Sequence, residues 1–599
     1  MNLRARPGTG RIPTILIAIW LSCICPSSYA GAVETGADRI TTLNPRYDLK
    51  RIRPSNFEPR VTGMAFRADG KLVLSTVNTL FGADWAAGMG ADAKSLYLLS
   101  GIDGPDPEKI IVKKIAGPDG AAKLVDPQGI VILDGAYYVS DKDKLLKLED
   151  SNGDDVIDVR TEVAHWKWGK SNHEFAFGPA YKDGYFYLTT SVQLAGPGPS
   201  AKVQNVDERG TCLKVSRADG SVEVIAGGLR TPNGIGFGPR GEIFVTDNQG
   251  SYLPSSKLIN IRKGRTYGHL IDSPVPVFQN QPVSPPVVWM PQDEIGQSPS
   301  QPVLLTMGPY AGQMAFGDVA QGGVKRVNLE EVNGEFQGAI MPLSGGLEGG
   351  MDRILLGADG SLYLGGIGKG DQENWGWKGT LFGLQRLQPN GKSLFEILAV
   401  HSRKDGMELE FTEPIATDFD ATKLEVWQWW YQPTYDYGGP RKDRVRLTVK
   451  TTRVSTDGKS LFMQVDGLKT GQVTNIKAYG IKSKAGQEPY FYETWYTLNA
   501  ISPSSAFEVT ASGGERRSLA RIPGFRVRGP SGGSLRIDLP GDAESLELRD
   551  MRGTCLASRG VKGITTVDWE LRLPGRGVYI AALRRAGQAG WNTEAFALP

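Results

Sequence analysis

The chain has 599 residues, of which 40% are hydrophobic and 22% charged, with 68 basic and 65 acidic side chains. That length exceeds one ordinary domain, so two to four globular units are expected. The near balance of charge, with no basic stripe, argues against a nucleic-acid partner, and 76 glycines and 37 prolines suit a turn-rich all-β chain.

The first thirty residues read as a secretory signal. Arg4, Arg6 and Arg11 form a basic region, ILIAIWLSCIC (15–25) an apolar one, and Ser28-Tyr29-Ala30 presents small residues for cleavage after Ala30. So short an apolar run cannot span a bilayer, and no transmembrane helix is expected once the signal is removed. Loss of the three arginines leaves 65 basic groups against 65 acidic ones. A secreted protein, extracellular, at the cell surface or periplasmic, is expected. Cys23 and Cys25 leave with the signal, so Cys212 and Cys555 remain, in separate segments, and no disulfide framework is expected. No CxxCH occurs, which excludes a covalently attached haem. Neither a GxSxG elbow nor a P-loop is present, which weighs against serine hydrolases and NTPases.

Six segments between 45 and 392 share one pattern: small or apolar residues, a turn, then an alternating strand. They are GMAFRADGKLVLST from Gly63, GIVILDGAYYVSD from Gly129, FAFGPAYKDGYFYLTT from Phe175, GIGFGPRGEIFVTD from Gly234, QMAFGDVAQGGVKRV from Gln313 and RILLGADGSLYLGG from Arg353. Apolar residues on one parity, such as Leu72 and Leu74 or Leu362 and Leu364, predict strands with a buried face. Asp69-Gly70 and Asp359-Gly360 predict hairpin turns. Six irregular repeats point to radial closure, an all-β six-bladed β-propeller, which hides the edges of many short strands. Past Pro389-Asn390-Gly391 the text changes. Alternating segments from Phe395 to the neighbourhood of Leu498 predict an immunoglobulin-like sandwich over 393–500. After Ser502-Pro503-Ser504-Ser505, a further alternating stretch predicts a second small sandwich over 506–599.

Several polar groups exceed what a scaffold needs. The hairpin at 228–250 carries Arg230, Asn233, Asp247 and Asn248. Asp150, Asn152, Asp154 and Asp158 place side-chain oxygens as a short calcium turn would, although Asp155 and Thr161 rule out an EF-hand. The aromatic run Trp427, Trp429, Trp430, Tyr431, Tyr435 and Tyr437 could stack on sugar rings or fill a sandwich core. The four histidines, His165, His173, His269 and His401, lack zinc-ligand spacing.

Over about 45–390 the chain resembles the bacterial glucose/sorbosone dehydrogenase-like propellers, among them secreted sugar dehydrogenases that use pyrroloquinoline quinone (PQQ). The resemblance is carried by SNHEFAFGP (171–179), GLRTPNGIGFGPRGEIFVTDNQG (228–250), SSKLINIRKGRTYGH (255–269), YAGQMAFGDVAQGGVKRVNLEEVNGEFQGA (310–339) and DRILLGADGSLYLGGIG (352–368). LELRDMRGTCLASR (546–559) and GVYIAALRRAG (577–587) resemble the C-terminal sorting domains of type IX-like secretion.

The resemblance implies a quinoprotein oxidising a sugar or related alcohol at the propeller mouth and passing electrons to a separate acceptor. His173 would be the general base, since a histidine titrates near neutral pH. Arg230 would hold the quinone carboxylates bidentately, with Arg353, Asn233 and His269 as further cofactor contacts. Thr231 and Asn233 depart from the family's pattern after the arginine. Calcium-dependent lactonases of the gluconolactonase type give the competing implication, with Asn233 and Asp247 on a central calcium. A propeller that binds glycans or partners without chemistry is the third, because propellers host many activities.

Overall fold

The computed structural model describes residues 42–507, apart from 78–79, 82–93, 172, 194–205, 279–281, 293 and 369–374. Beyond these it describes 526–531, 534–539, 543–550, 555–562, 564, 566–570, 577–585 and 591–598. The expected signal, 1–30, lies outside the described residues. The chain is all β, and its four-stranded antiparallel sheets match propeller blades.

Sheet one runs Val61–Phe66, Leu72–Thr76, Ser95–Ser100 and Ile111–Ala116, and sheet two Pro127–Leu133, Ala136–Asp141, Lys144–Glu149 and Val159–His165. Sheets three, four and five begin with Ala176–Lys182, Gly234–Phe237 and Val303–Leu304. Sheet six runs Gly350–Leu356, Leu362–Ile367 and Phe382–Pro389, and its outer strand is Tyr47–Arg51, from the start of the described chain. Tyr47 pairs with Pro389 and Arg51 with Gln385, so one sheet joins the two ends of the repeat. The first strands of the six sheets touch in sequence, and the first strand of sheet six touches that of sheet one.

The turns form as their residues dictate. Gly70 and Gly360 take φ of 83° and 80°, the left-handed conformation that glycine adopts without a Cβ clash. The expectation of one buried face per strand is corrected. Leu72, Val73 and Leu74 are all fully buried. Leu72 and Leu74 pack with Phe57, Tyr97 and Tyr363, whereas Val73 packs with Leu96, Ile130 and Val139. Sheets stacked around a ring are covered on both sides, so alternation sends side chains to two different cores.

Three second strands end in an aspartate that accepts backbone N–H groups from the loop entering its own sheet. Asp141 takes Val125 N at 3.0 Å, Asp247 takes Thr231 N at 2.8 Å, and Asp318 takes Gln297 N at 2.8 Å. This repeated device fixes the loops at one end of the ring, here called the rim.

The segment expected as a separate sandwich shares a sheet with the fifth one. Val324–Val332 and Glu335–Ser344 continue through Glu493–Leu498, Gln472–Ala478, Leu424–Tyr431 and Arg441–Leu447 in one eight-stranded sheet. A second sheet, from Ile397–Arg403, Gly406–Phe411, Ser460–Val465 and Val449–Val454, covers it through a core that includes Met341, Ile397, Val426 and Ile476. Buried polar groups tie the seam. Arg326 donates to Glu396 at 3.1 Å and to Leu398 O at 2.8 Å, with both charged side chains inaccessible to solvent. Asn328 exchanges two hydrogen bonds with the backbone of Val400. Strands between Arg526 and Leu598 form two further sheets, of three and four strands.

Candidate functional site

Two groups of predicted residues lie near the start of the first strands, one on the ring axis and one at the rim. At the axis, Arg353 is fully enclosed. Its Nε donates to Thr62 O at 2.6 Å, its Nη2 to Gln128 O at 3.1 Å, and its Nη1 to Asn233 O at 3.1 Å and Asn233 Oδ1 at 3.2 Å. It pairs with Asp352 at 3.0 Å, and Asn233 Nδ2 donates to the same carboxylate at 2.8 Å. Burial pushes the Asp352 carboxyl up and the guanidinium down, and each partner's charge opposes the other's shift. The space left on the axis is a cavity of about 30 Å³ lined by Gly63, Gln128, Gly129, Gly178, Gly234 and Arg353. The strands converge so tightly that a Cβ on Gly129 would lie 1.9 Å from Gly178 O.

This arrangement gives three predicted residues partners within the fold. Arg353 braces carbonyls of sheets one, two and four rather than facing a ligand carboxylate. Asn233 offers its oxygens to that guanidinium, the opposite of a calcium ligand's surroundings. Asp247 does not join it, because its carboxylate caps the Arg230 and Thr231 amides. Burial raises the Asp247 carboxyl, opposed by the charge of buried Lys257.

The acidic turn lies away from both groups. Asp150 accepts N–H from Gly153, Asp154 and Asp155, and Asp154 accepts from Val156 at 2.7 Å. Asn152 Oδ1 accepts from Asp154 N, and Asp158 accepts both the amide and the hydroxyl of Ser151. The side-chain oxygens of Asp150, Asn152, Asp154 and Asp158 thus accept hydrogen bonds from the turn's own backbone and from Ser151. Among the described residues no three His, Cys, Asp or Glu side chains gather as a metal site.

At the rim the predicted residues do meet. His173 Nδ1 lies 2.7 Å from Val192 O, a pure acceptor, so Nδ1 carries the proton. Its Nε2 lies 3.1 Å from Thr231 Oγ1, which in turn accepts from Arg230 Nη1 at 3.1 Å. Donors therefore run in one direction, from Arg230 through Thr231 and His173 to Val192 O. Burial and then the Arg230 charge lower the His173 pKa to about 3, with Arg209 and Lys142 adding to the effect. The imidazole is neutral with Nε2 as acceptor, and the near-neutral titration expected of it is corrected. His269 also lies in the field of Arg230; burial first lowers its pKa to about 4, and Nδ1 faces Ser251 O at 2.9 Å. Its Nε2, Asn248 Oδ1 and Ser251 Oγ are buried without a hydrogen-bond partner.

Sequence reasoning passed over Lys142, Arg209 and Trp375 at the rim, and it named Asn248 and Tyr437 without bringing them together with His173 and Arg230. Lys142 follows the repeat aspartate Asp141, as Asn248 follows Asp247, so alignment of the repeats would have found it. Its Nζ binds Asp126 at 3.0 Å and lies 4.9 Å from the Phe175 ring and 5.5 Å from that of Trp168. Asn248 and Trp375 both donate to Ser298 Oγ at 3.0 Å. Arg209 braces Ser191 O and Phe175 O. Tyr437, expected to stack on sugar or to fill a sandwich core, comes instead from the loop before Arg441–Leu447 to the rim, where its ring lies 5.0 Å from the Arg230 guanidinium. Gly250 makes room on that side, since a Cβ there would meet Arg230 Cδ at 2.1 Å. The other two histidines are remote: His165 is exposed beside Glu162, and His401 lies buried in the seam.

No family model matches the chain, and no curated protein matches it. Among solved structures it is similar to a glucose dehydrogenase (16% identity, 58% of this chain and 100% of that one, TM-score 0.41). It is also similar to the PQQ-bound aldose sugar dehydrogenase of Streptomyces coelicolor (14%, 58% and 99%, TM-score 0.40). A third is the PQQ domain of a pyranose dehydrogenase from Coprinopsis cinerea (12%, 58% and 98%, TM-score 0.37). At such identities no residue role passes from these proteins to this chain.

Proposed function

We propose that the chain is an exported six-bladed propeller, followed by two sandwiches, that oxidises a sugar or related alcohol at its rim with PQQ as cofactor. The observation that supports it best is the ordered chain from Arg230 through Thr231 to His173, set in a rim with further cations and aromatic rings. Those residues suit a planar polyanion in chemistry: Arg230 and Lys142 would hold carboxylates, and Trp168, Phe175 and Trp375 would offer aromatic surface. The orphaned Asn248 Oδ1 and His269 Nε2 are the kind of buried groups that a ligand satisfies.

When bound, the quinone supplies the two-electron acceptor, and electrons then leave to a separate carrier. The chain's own part is to bind, orient and move a proton. His173 is neutral and can take a hydroxyl proton at Nε2 once the Thr231 hydroxyl turns away. Its low basicity follows partly from three neighbouring cations, so an anion bound among them raises its proton affinity toward the range a general base needs. Calcium has no built site in this reading, and the lactonase alternative loses its metal ligands to Arg353 and to backbone amides. A glycan-binding propeller without chemistry remains the second reading, favoured by the exposed rings of Tyr435 and Tyr437.

Isothermal titration of the mature protein with PQQ, with and without calcium, tests the proposal. Micromolar or tighter binding is expected, weakened at least about tenfold in Arg230→Ala through loss of a charge-assisted contact. Absence of binding in both conditions sinks the quinoprotein reading and leaves the glycan-binding one.

A further inference from the structure

The loop 432–440 is long, polar and aromatic (QPTYDYGGP), and it is anchored on the rim rather than on its own sandwich. Tyr252 N donates to Thr434 O at 2.7 Å, Gly438 N to Gly250 O at 3.1 Å and Gly439 N to Pro254 O at 3.1 Å. Ser251 and Tyr437 form an antiparallel bridge. Gly439 has to be small, because a Cβ would lie 2.5 Å from Pro254 Cβ. At its base, Arg441 binds Glu294 at 2.6 Å and lies 4.6 Å from the Trp429 ring. The contact thus has the character of a built interface.

What the loop presents is unusual for a surface turn. Tyr435 is 55% and Tyr437 58% exposed, large rings that gain little from their position in stability terms. Tyr252 lies edge-on to Tyr435 at 6.0 Å and adopts φ of 61°, a conformation costly for an aromatic residue. Asp436, also exposed, stands between the two tyrosines in sequence. Tyr437 is coupled inward by three links: 5.0 Å to Arg230, 3.1 Å from Arg230 to Thr231, and 3.1 Å from Thr231 to His173.

We propose that Tyr252, Tyr435 and Tyr437, with Asp436, form an outer sugar-binding subsite, so that the protein takes the end of an oligosaccharide rather than a free monosaccharide. The proposal rests on the sugar reading above and names its substrate class. Exposed aromatic rings suit the apolar C–H faces of a pyranose, and the carboxylate of a neighbouring exposed residue suits its paired hydroxyls. A ring on Tyr437 lies beyond Arg230 and Thr231 as seen from His173, so a second ring is needed to reach the imidazole. The subsite is contributed by the sandwich segment and held in place by the shared sheet.

The test is titration of the full mature chain with cellotetraose, maltotetraose and tetragalacturonate, each compared with its monosaccharide, with PQQ titrated separately. At least one tetramer is expected to bind ten-fold or more tightly than its monosaccharide. Tyr437→Ala is expected to reduce that advantage by several-fold to about tenfold, and Tyr437→Trp to restore it. Each variant should unfold at the same temperature as the parent chain, which a misfolded loop would lower. Equal affinity for tetramers and monomers, or an advantage indifferent to Tyr437→Ala and Tyr435→Ala, overturns the subsite. PQQ binding without a tetramer advantage overturns the subsite alone; a tetramer advantage without PQQ binding overturns the quinoprotein reading alone.

Discussion

Arg353 and Arg230 are the same residue type, both buried, at neighbouring levels of one ring, yet they do different work. Arg353 lies where the sheets converge, and backbone carbonyls of sheets one, two and four take its donors. Arg230 lies on the loop that enters the fourth sheet, between Gly250 and an exposed tyrosine, and its hydrogen bond leads through Thr231 to a histidine. An arginine surrounded by carbonyls is a brace. One that abuts an exposed aromatic face and a neutral imidazole belongs to a site.

That contrast can be broken at its strongest point first. Arg353→Ala leaves the buried Asp352 carboxylate uncompensated and four carbonyl oxygens without their donor. It should cost about 3–5 kcal/mol in urea unfolding. A loss under about 1 kcal/mol would mean that the axis is not braced by this residue. Asn233→Ala removes the amide between Asp352 and Arg353 and should cost about 1–3 kcal/mol, with an unchanged PQQ titration. A selective loss of PQQ affinity in Asn233→Ala would return this residue to the cofactor site.

The histidines sharpen the comparison through pH. For His401, burial opposes charging, but Glu330 and Glu410, 3.7 and 3.6 Å away, outweigh it and raise the pKa to about 9. That lies above the ordinary 6.5, so its contribution is complete below pH 6.5 and is lost as pH rises through 9. His269 behaves in the opposite sense: with a folded value of about 4, it stabilises above pH 6.5 and the contribution disappears as pH falls through 4. Unfolding free energies from pH 4 to 9 should therefore decline at both ends. His401→Gln should flatten the alkaline limb, on the order of 2 kcal/mol, and leave the acid limb in place. The smallest effect is expected at Asp150→Ala, which removes a turn cap and should cost about 1 kcal/mol, with no dependence on added calcium. A calcium-dependent rise in melting temperature that this substitution abolishes would reinstate the metal turn.

Much of this was legible before any coordinates. The repeat, the Asp-Gly turns and the polar hairpin at 228–250 follow from local chemistry, and glycine with positive φ at 70 and 360 is a local requirement. The repeat aspartates were legible too, since YYVSD, IFVTD and QMAFGD end alike, but their shared role as caps of backbone amides was not. The C-terminal segment is a different case. Its alternation predicts strands, yet nothing local in Val324–Val332 or Glu493–Leu498 announces that both belong to one sheet. That pairing depends on an edge left open by the fifth repeat and closed by a segment about 150 residues later, as in the partnership of Ala339 with Tyr496.

The sequence alone therefore determined the all-β class, the period of the repeat and the turns, because each is set by neighbours along the chain. Tertiary structure decided which arginine braces and which faces the rim, that His173 is held neutral, and that a tyrosine from the sandwich completes the rim. Those outcomes depend on desolvation and on charges that lie close in space but far apart in sequence, and periodicity along the chain carries no record of either.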